Sequence, residues 1–396
     1  MKLGLFSGTV KADVVVIDST FPQKEPFGFR NTEINEYFRR TKSIGSYAMY
    51  PMEPWGDAWF PWSYGLGEKT YSDNREGYLR YYPENASRIH YIDENKKYKF
   101  KLAYSYFLAE TYVLLPFYEK NNIPFVFMLY PGGTFGIDNA SSDKMLKRVF
   151  ASSCFRGVIV SQKLTEEYLV AKKLCPNDKI HFVFGGFSQF RLQDIKKKKY
   201  YKKDKQTFDI CFVAGNYSER GKDKGYDLFV AVAIELAKSI SDVRFHVVGN
   251  FSPKDVSLEG VRDMFTFYGY RKPTFLAELY SKMDIYLSPN RPGVLYEGNF
   301  DGFPLGIDTS YCGVAQFASD PLNMNRGSVE DGKDIVIVPL EAKGIAKKIL
   351  YYYSETDRLY ELARRGQLKA QKLFDIDYQV SERMKIFEAL IKQEIK

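Results

Sequence analysis

Twice along this chain, short apolar runs alternate with longer stretches of helical period. The first series of runs is DVVVID (13–18), IGSYAMY (44–50), RIHYI (88–92), PFVFMLY (124–130), GVIVSQ (157–162) and KIHFVFG (179–185). Helical patterns cover 97–120, 141–150 and 163–174. Apolar strands separated by helices specify a parallel sheet covered on both faces. The series breaks at DIKKKKYYKKDKQ (194–206), which no core can bury, and this reads as a linker or exposed loop. Then the alternation restarts with DICFVAG (209–215), VRFHVVG (243–249), FTFYGY (265–270), DIYLSP (284–289), VAQFAS (314–319) and IVIVPL (335–340). Helices are expected near 226–240 and 273–283.

The pattern predicts an α/β chain of two doubly wound, Rossmann-like domains, over 1–193 and 207–377, joined by the basic linker 194–206. A final helix over about 378–396 sets Val380, Met384, Phe387 and Ile391 on one face and is expected to pack back on the first domain. Ligands of such folds sit at the carboxyl ends of strands, so the cleft between the two units is the expected site.

A chain of 396 residues is long enough for two cores. Of its formal charge of +8, +5 falls between Asp194 and Lys205, where seven lysines meet two aspartates. Nucleic-acid binders spread basic residues over a face, so nucleic acid is not an expected partner. Cys154, Cys175, Cys211 and Cys312 form no CxxC pair, and His90, His181 and His246 stand apart, which disfavours a zinc site. The start MKLGLFSGTVKAD is too short an apolar run for an export signal, and no stretch has the roughly 20 apolar residues that span a bilayer. A cytoplasmic protein is expected. No G-x-G-x-x-G follows the first strand of either unit, so a nicotinamide dehydrogenase is disfavoured.

Two stretches could carry chemistry. In CFVAGNYSERGKDKGYDLFVAVAIELA (211–237) an apolar strand ends at Gly215, a loop supplies Arg220, Lys222 and Lys224, and Gly225 opens an apolar helix. Cations beside a helix start suit a phosphate; a solvated loop with three surface cations fits equally well. In DGFPLGIDTSYCG (301–313) Pro304 suits a first helical turn and Gly313 a C-terminal cap, which predicts a helix of about two turns starting near Pro304. Gly302 allows close backbone approach to a ligand. Asp301 would lie beside that ligand, and Asp308 could reach hydroxyls; taken alone, a helix-start acid and a surface aspartate are the simpler reading. The lone Asp-x-Asp, Asp375 and Asp377 in FDIDY (374–378), reads as helix capping rather than metal binding.

Taken in order, 211–225, VRFHVVGN (243–250), FYGYRKPTFLAELYSKMDIYLSP (267–289) and DGFPLGIDTSYCGV (301–314) resemble the C-terminal domain of retaining GT-B glycosyltransferases, the large group that includes bacterial glucosyl- and mannosyltransferases. The first half is similar to that group in layout. The resemblance implies two domains facing across a cleft and transfer of a sugar from a nucleoside-diphosphate sugar with retention, without metal or cofactor. It implies that Lys224 contacts the donor diphosphate, that Asp301 touches the sugar and that Asp308 touches the ribose. It also implies that Gly302, Phe303, Pro304 and Leu305 face the phosphates and that Arg271 lies near the base. Gly215 and Asn216 fall in the donor loop, and Asn216 stands where the family has an arginine, which Arg220 could replace. Both acids are aspartates instead of the family's glutamates, one residue closer together, and Glu297 could serve for Asp301. Tyr130 stands where the family often has a histidine, followed by Gly132 and Gly133.

For the acceptor, Trp55, Trp59 and Trp62 in PWGDAWFPWSYG (54–65) offer aromatic faces to a sugar, with Asp57 beside them; a small core pinning the loop is the competing reading. Gly28, Arg30 and Asn31 follow the first strand and are further candidates. A glycan or a lipid-linked acceptor is expected from the resemblance. The lysines of 196–205 could touch an anionic membrane surface, with a solvated linker as the plainer reading. A nucleotide-sugar epimerase or hydrolase of the same fold, or an inactive carbohydrate-binding protein, remain as alternatives.

Overall fold

The computed structural model describes residues 9–49, 67–93, 95–301, 305–324 and 326–394. The chain divides into two compact units, one of residues up to Phe184 plus those from Gln379, the other Gly185–Tyr378.

Among the described residues the first unit holds seven strands, β1 (Val10–Asp18), β2 (Ile44–Ala48), β3 (Ile89–Tyr91), β4 (Tyr98–Tyr106), β5 (Phe125–Leu129), β6 (Phe155–Val160) and β7 (Ile180–Phe182). They form one sheet in the order β3-β2-β1-β4-β5-β6-β7, and every pairing is parallel. Helices α1 (Phe29–Arg40), α2 (Glu68–Leu79), α3 (Leu108–Asn121), α4 (Ala140–Phe150) and α5 (Lys163–Ala171) connect the strands. Strand order reverses between β1 and β4, and the carboxyl ends on either side of such a switch are where open α/β sheets hold ligands.

Strand β4 corrects the expected helix over 97–120. Tyr98, Phe100 and Leu102 are buried while Lys99 and Lys101 between them are exposed, a period of two. The helix begins only at Leu108, after Phe107 turns with φ 59°.

The second unit holds β8 (Phe208–Val213), β9 (Val243–Val248), β10 (Phe265–Gly269), β11 (Ile285–Ser288), β12 (Ala315–Ala318) and β13 (Val336–Ile337), again all parallel, in the order β10-β9-β8-β11-β12-β13. Around them run α6 (Tyr226–Ala237), α7 (Pro273–Lys282), the short α8 (Ile307–Tyr311), α9 (Ala342–Ser354) and α10 (Thr356–Leu373). Phe229, Val232 and Leu236 of α6 pack with Ile210 and Phe212 of β8 and Ile345 of α9 in one core. Each such side chain, fully buried, contributes roughly 1.5–3 kcal/mol. Here the switch falls between β8 and β11.

The basic run is not a tether. The boundary between units falls at 184/185, and 194–206 is built into the second unit. Tyr201 is buried and its N–H donates to the Tyr360 hydroxyl at 2.8 Å. Lys205 Nζ lies 2.5 Å from Asp209 and also pairs with Asp284. Lys198 Nζ donates to the carbonyls of Tyr280 and Met283, and burial pushes its pKa down to about 8. The charge run is accommodated because the amino ends of β8 and β11 supply carboxylates and carbonyls to receive it.

Helix α11 (Ile376–Glu394) begins in the second unit and continues in the first. Val380, Phe387 and Leu390 are buried, and so is Arg383, which approaches Glu33 of α1 at 3.6 Å and donates to the Tyr130 hydroxyl at 3.1 Å. The apolar face expected of this helix thus carries an arginine at its centre.

Candidate functional site

In the second unit the loop after β8 leads to Gly225, whose φ of 74° and position leave no room for a side chain: a Cβ would sit 2.2 Å from the carbonyl oxygen of Pro289, just past β11. That close approach locks the loop against the switch point and delivers Lys224 there. Lys224 forms an ion pair with Asp301, so the two residues brought forward from separate motifs meet. Lys224 Nζ also lies 5.5 Å from the Tyr217 ring centroid. Asp223, the neighbouring acid, is buried, and burial raises its pKa. One oxygen of Asp223 and one of Asp301 are buried without a hydrogen-bond partner. Lys224 pairs with Asp301 while Ser218 donates to Asp223, and each carboxylate has acceptor capacity left over.

The other donor-side candidates are placed more variously. Gly215 is crowded by its own neighbour's ring, a Cβ there meeting Tyr217 at 2.7 Å. Asn216 donates its backbone N–H to Asn250 at 2.7 Å. Arg220 is exposed on the same loop, in the left-handed region at φ 59°. Arg271 is exposed, with its guanidinium 5.4 Å from the Phe275 ring centroid, and Glu297 is exposed. Leu305 is buried. Gly302, Phe303 and Pro304 lie outside the described residues.

Helix α8 begins at Ile307, three residues later than the start expected at Pro304, with Gly306 before it. Gly306 has its N–H taken by Gln316 Oε1 at 2.9 Å. Asp308 is engaged within the second unit. Its oxygens accept from Ser188 Oγ at 2.8 Å and from Gln189 N and Nε2 at 3.0 and 2.6 Å. Burial raises the Asp308 carboxyl and these bonds lower it. A carboxylate so engaged holds the 188–189 segment. Asp375 and Asp377 are spent locally: Asp375 caps the Tyr378 N–H at 2.8 Å and Asp377 pairs with Arg191 at 3.0 Å.

The first unit carries its own cluster at its switch point. Asp18 ends β1 and is fully buried; one of its oxygens accepts from the N–H groups of Thr20 and Phe21, both at 2.7 Å. Arg30 bridges the other Asp18 oxygen at 3.0 Å and Glu110 at 2.7 Å. Ser19 donates to the same Glu110 oxygen, while the second Glu110 oxygen is buried without a partner. Burial pushes the Glu110 carboxyl up to about 7 against the pull of Arg30. Aromatic rings border the cluster: Phe29, Phe107 and Tyr130 lie 5.7–6.5 Å apart between centroids, and Arg30 stands 5.4 Å from the Phe107 ring. Gly133, at φ 53°, packs so tightly on Phe107 that a Cβ would meet it at 2.5 Å, and Gly132 turns at φ 83°. Gly28, at φ 93°, precedes α1 and lets Arg30 enter from its first turn. Asn31 is buried and bonds Gln23 at 2.8 Å. Asp18, Ser19, Phe107 and Glu110 were not among the sequence candidates; an acid closing an apolar strand, as in DVVVID, was the available signal. Trp55, Asp57, Trp59 and Trp62 lie outside the described residues.

Residues 208–355 match the family model for glycosyl transferases group 1. No curated protein sequence matches the chain. Among solved structures, the chain is similar to Anabaena HepE in complex with UDP and glucose, at 14% identity and a TM-score of 0.66, over 96% of this chain and 100% of that one. It is similar to sucrose-phosphate synthase from Thermosynechococcus elongatus, at 14% identity and a TM-score of 0.64, over 96% and 100% of the two chains. A glycosyltransferase from Rickettsia africae gives 13% identity and 0.62, over 96% and 99%. Two parallel sheets of seven and six strands give this chain the GT-B fold of those structures, and residues 208–355 of its second unit match the model for glycosyl transferases group 1.

Proposed function

We propose that the chain transfers a sugar from a nucleoside-diphosphate sugar to a glycan or lipid-linked acceptor, with retention of anomeric configuration and without a metal ion. The second unit is the donor side. The observation that carries this reading is the Lys224–Asp301 pair at the β8/β11 switch point. As the bond from sugar to diphosphate opens, negative charge grows on the leaving group, and a preorganised ammonium stabilises that charge more than it stabilises the ground state. In this role Lys224 exchanges Asp301 for the diphosphate, and Asp301, relieved of its cation, accepts from sugar hydroxyls. Arg220 adds a second positive charge from the same loop. HepE is described with UDP and with UDP-glucose, which makes a UDP-sugar the first donor to try.

The first unit is the acceptor side. Its carboxyl-end cluster combines aromatic rings, which suit the apolar faces of sugars, with carboxylates that accept from hydroxyls. The exposed lysines among 196–205 add a basic surface to the second unit, which suits an acceptor displayed on an anionic membrane.

The test is turnover of UDP-, GDP- and ADP-sugars with simple glycoside acceptors, with and without EDTA, reading product configuration by NMR. The reading expects transfer from one donor, undiminished by EDTA and with the donor's anomeric configuration. An inverted product, or loss of turnover on chelation, contradicts the corresponding part. Release of free or epimerised sugar in place of transfer contradicts the whole.

A further inference from the structure

The amino ends of the first sheet carry a feature that neither carboxyl-end site uses. A concavity of about 640 Å³ opens there, lined by Lys11, Asp13, Lys42, Arg88, Lys99 and Lys101 among others. Lys11 of β1 and Lys99 of β4 stand directly opposite each other in the strand register. Like charges in that relation repel and weaken the pairing. One step on, Lys101 has Asp13 at 2.7 Å, so the sheet does answer a lysine with an acid here. Lys11, Lys42 and Lys99 receive no such answer and form no ion pair among the described residues.

Beside them Arg88 is a fixed, half-buried charge. Its guanidinium donates to the carbonyls of Phe38 at 2.6 Å and of Thr41 and Ile44, both at 2.5 Å, and lies 4.1 Å from the Phe38 ring centroid. Carbonyls satisfy its N–H groups but leave its charge uncancelled. Five cations face one carboxylate, a net of four positive charges in one hollow. A concave wall of low dielectric concentrates such a field, and anions are drawn to it.

We propose that this amino-end concavity is a binding site for phosphate groups, distinct from the donor site of the second unit. The like-charge pair Lys11–Lys99 is relieved when a phosphate sits between its ammonium groups. The phosphate can belong to an anionic lipid headgroup or to a soluble phosphate compound, and two arms of one experiment separate them.

Full-length protein carrying Lys224→Ala, which removes the proposed donor contact, serves as the parent. One arm measures co-sedimentation with vesicles of phosphatidylglycerol in phosphatidylcholine; the other titrates inorganic pyrophosphate by calorimetry. Lys42→Glu with Lys99→Glu cancels the net charge of the hollow. Binding in at least one arm is expected to fall at least about tenfold, since each cation near an anionic surface is worth several-fold in affinity. A fall with vesicles assigns a lipid source, and a fall with pyrophosphate a soluble one. Lys99→Glu alone sets opposite charges across the strands, so its unfolding midpoint should match or exceed the parent's, which separates lost binding from lost folding. No binding by the parent in either arm, or binding indifferent to both reversals, overturns the proposal.

Discussion

The two switch points of this molecule solve the same problem differently. In the first unit Arg30 is clamped between Asp18 and Glu110, whose side chains are 0% and 4% exposed, and the arginine itself is 20% exposed. In the second, Lys224 and Asp301 are 17% and 27% exposed and meet as a single pair. The first arrangement sets one half-buried arginine between two buried carboxylates, so the three depend on each other. The second has two partly wetted groups, each able to take a new partner at modest cost. The lesson is that a cluster's share in stability and its share in chemistry can be read from how completely its members are already satisfied. The first cluster is a fixed wall on which something can be placed. The second is a contact that binding can exchange.

Changes that remove one member of each cluster sharpen the contrast. Arg30→Ala leaves two buried carboxylates without their cation and should cost about 3–5 kcal/mol of stability, measured by urea denaturation; a loss below about 1 kcal/mol would mean the clamp is not what orders the loop after β1. Lys224→Ala should do the opposite: an unfolding midpoint close to wild type, and a fall in kcat of about 10²–10³, or roughly 3–4 kcal/mol of barrier. If Lys224→Ala unfolds the protein as readily as Arg30→Ala, the distinction between the two sites disappears.

Gly225→Ala probes how Lys224 is delivered. The new methyl group would strike the Pro289 carbonyl, and φ is 74°. A cost of about 1–3 kcal/mol is expected, with weakened donor binding, because the loop must move to relieve the clash.

A further effect concerns pH. Glu110 has its carboxyl raised from 4.5 to about 7, so the folded state holds a proton there that the unfolded state releases. The contribution of this group is therefore favourable below about pH 4.5 and is lost as pH rises through 7. Unfolding midpoints between pH 5 and 8 should show that decline, and Glu110→Gln should flatten it. A stability that rises across the same window in wild type, and is unchanged in the variant, would contradict the placement of Glu110.

Much of this architecture was legible before any coordinates. Apolar strands at regular intervals announced both sheets, and Lys224 and Asp301 stood out because each lies in a glycine-bearing loop after a strand. Strand β4 was hidden because Tyr98–Tyr106 runs into a helix without a Gly or Pro between them, and only the alternation of lysine with aromatic residues marks it. Glu110 was hidden with it. The fate of Asp308 depends on Ser188 and Gln189, some 120 residues away, and no local pattern reports such a partner. The lysine run read as solvated because its anchors, Asp209, Asp284 and the carbonyls of Tyr280 and Met283, come from strands and a helix that follow it in the chain.

The central claim is that the donor's diphosphate is held in the second unit by Lys224. Calorimetric titration of UDP-sugar into wild type, Lys224→Ala and Lys224→Arg tests it directly. The account predicts at least about a tenfold loss of affinity for the alanine variant, with partial recovery for arginine and no change in folded stability. Equal affinity in all three proteins would contradict it.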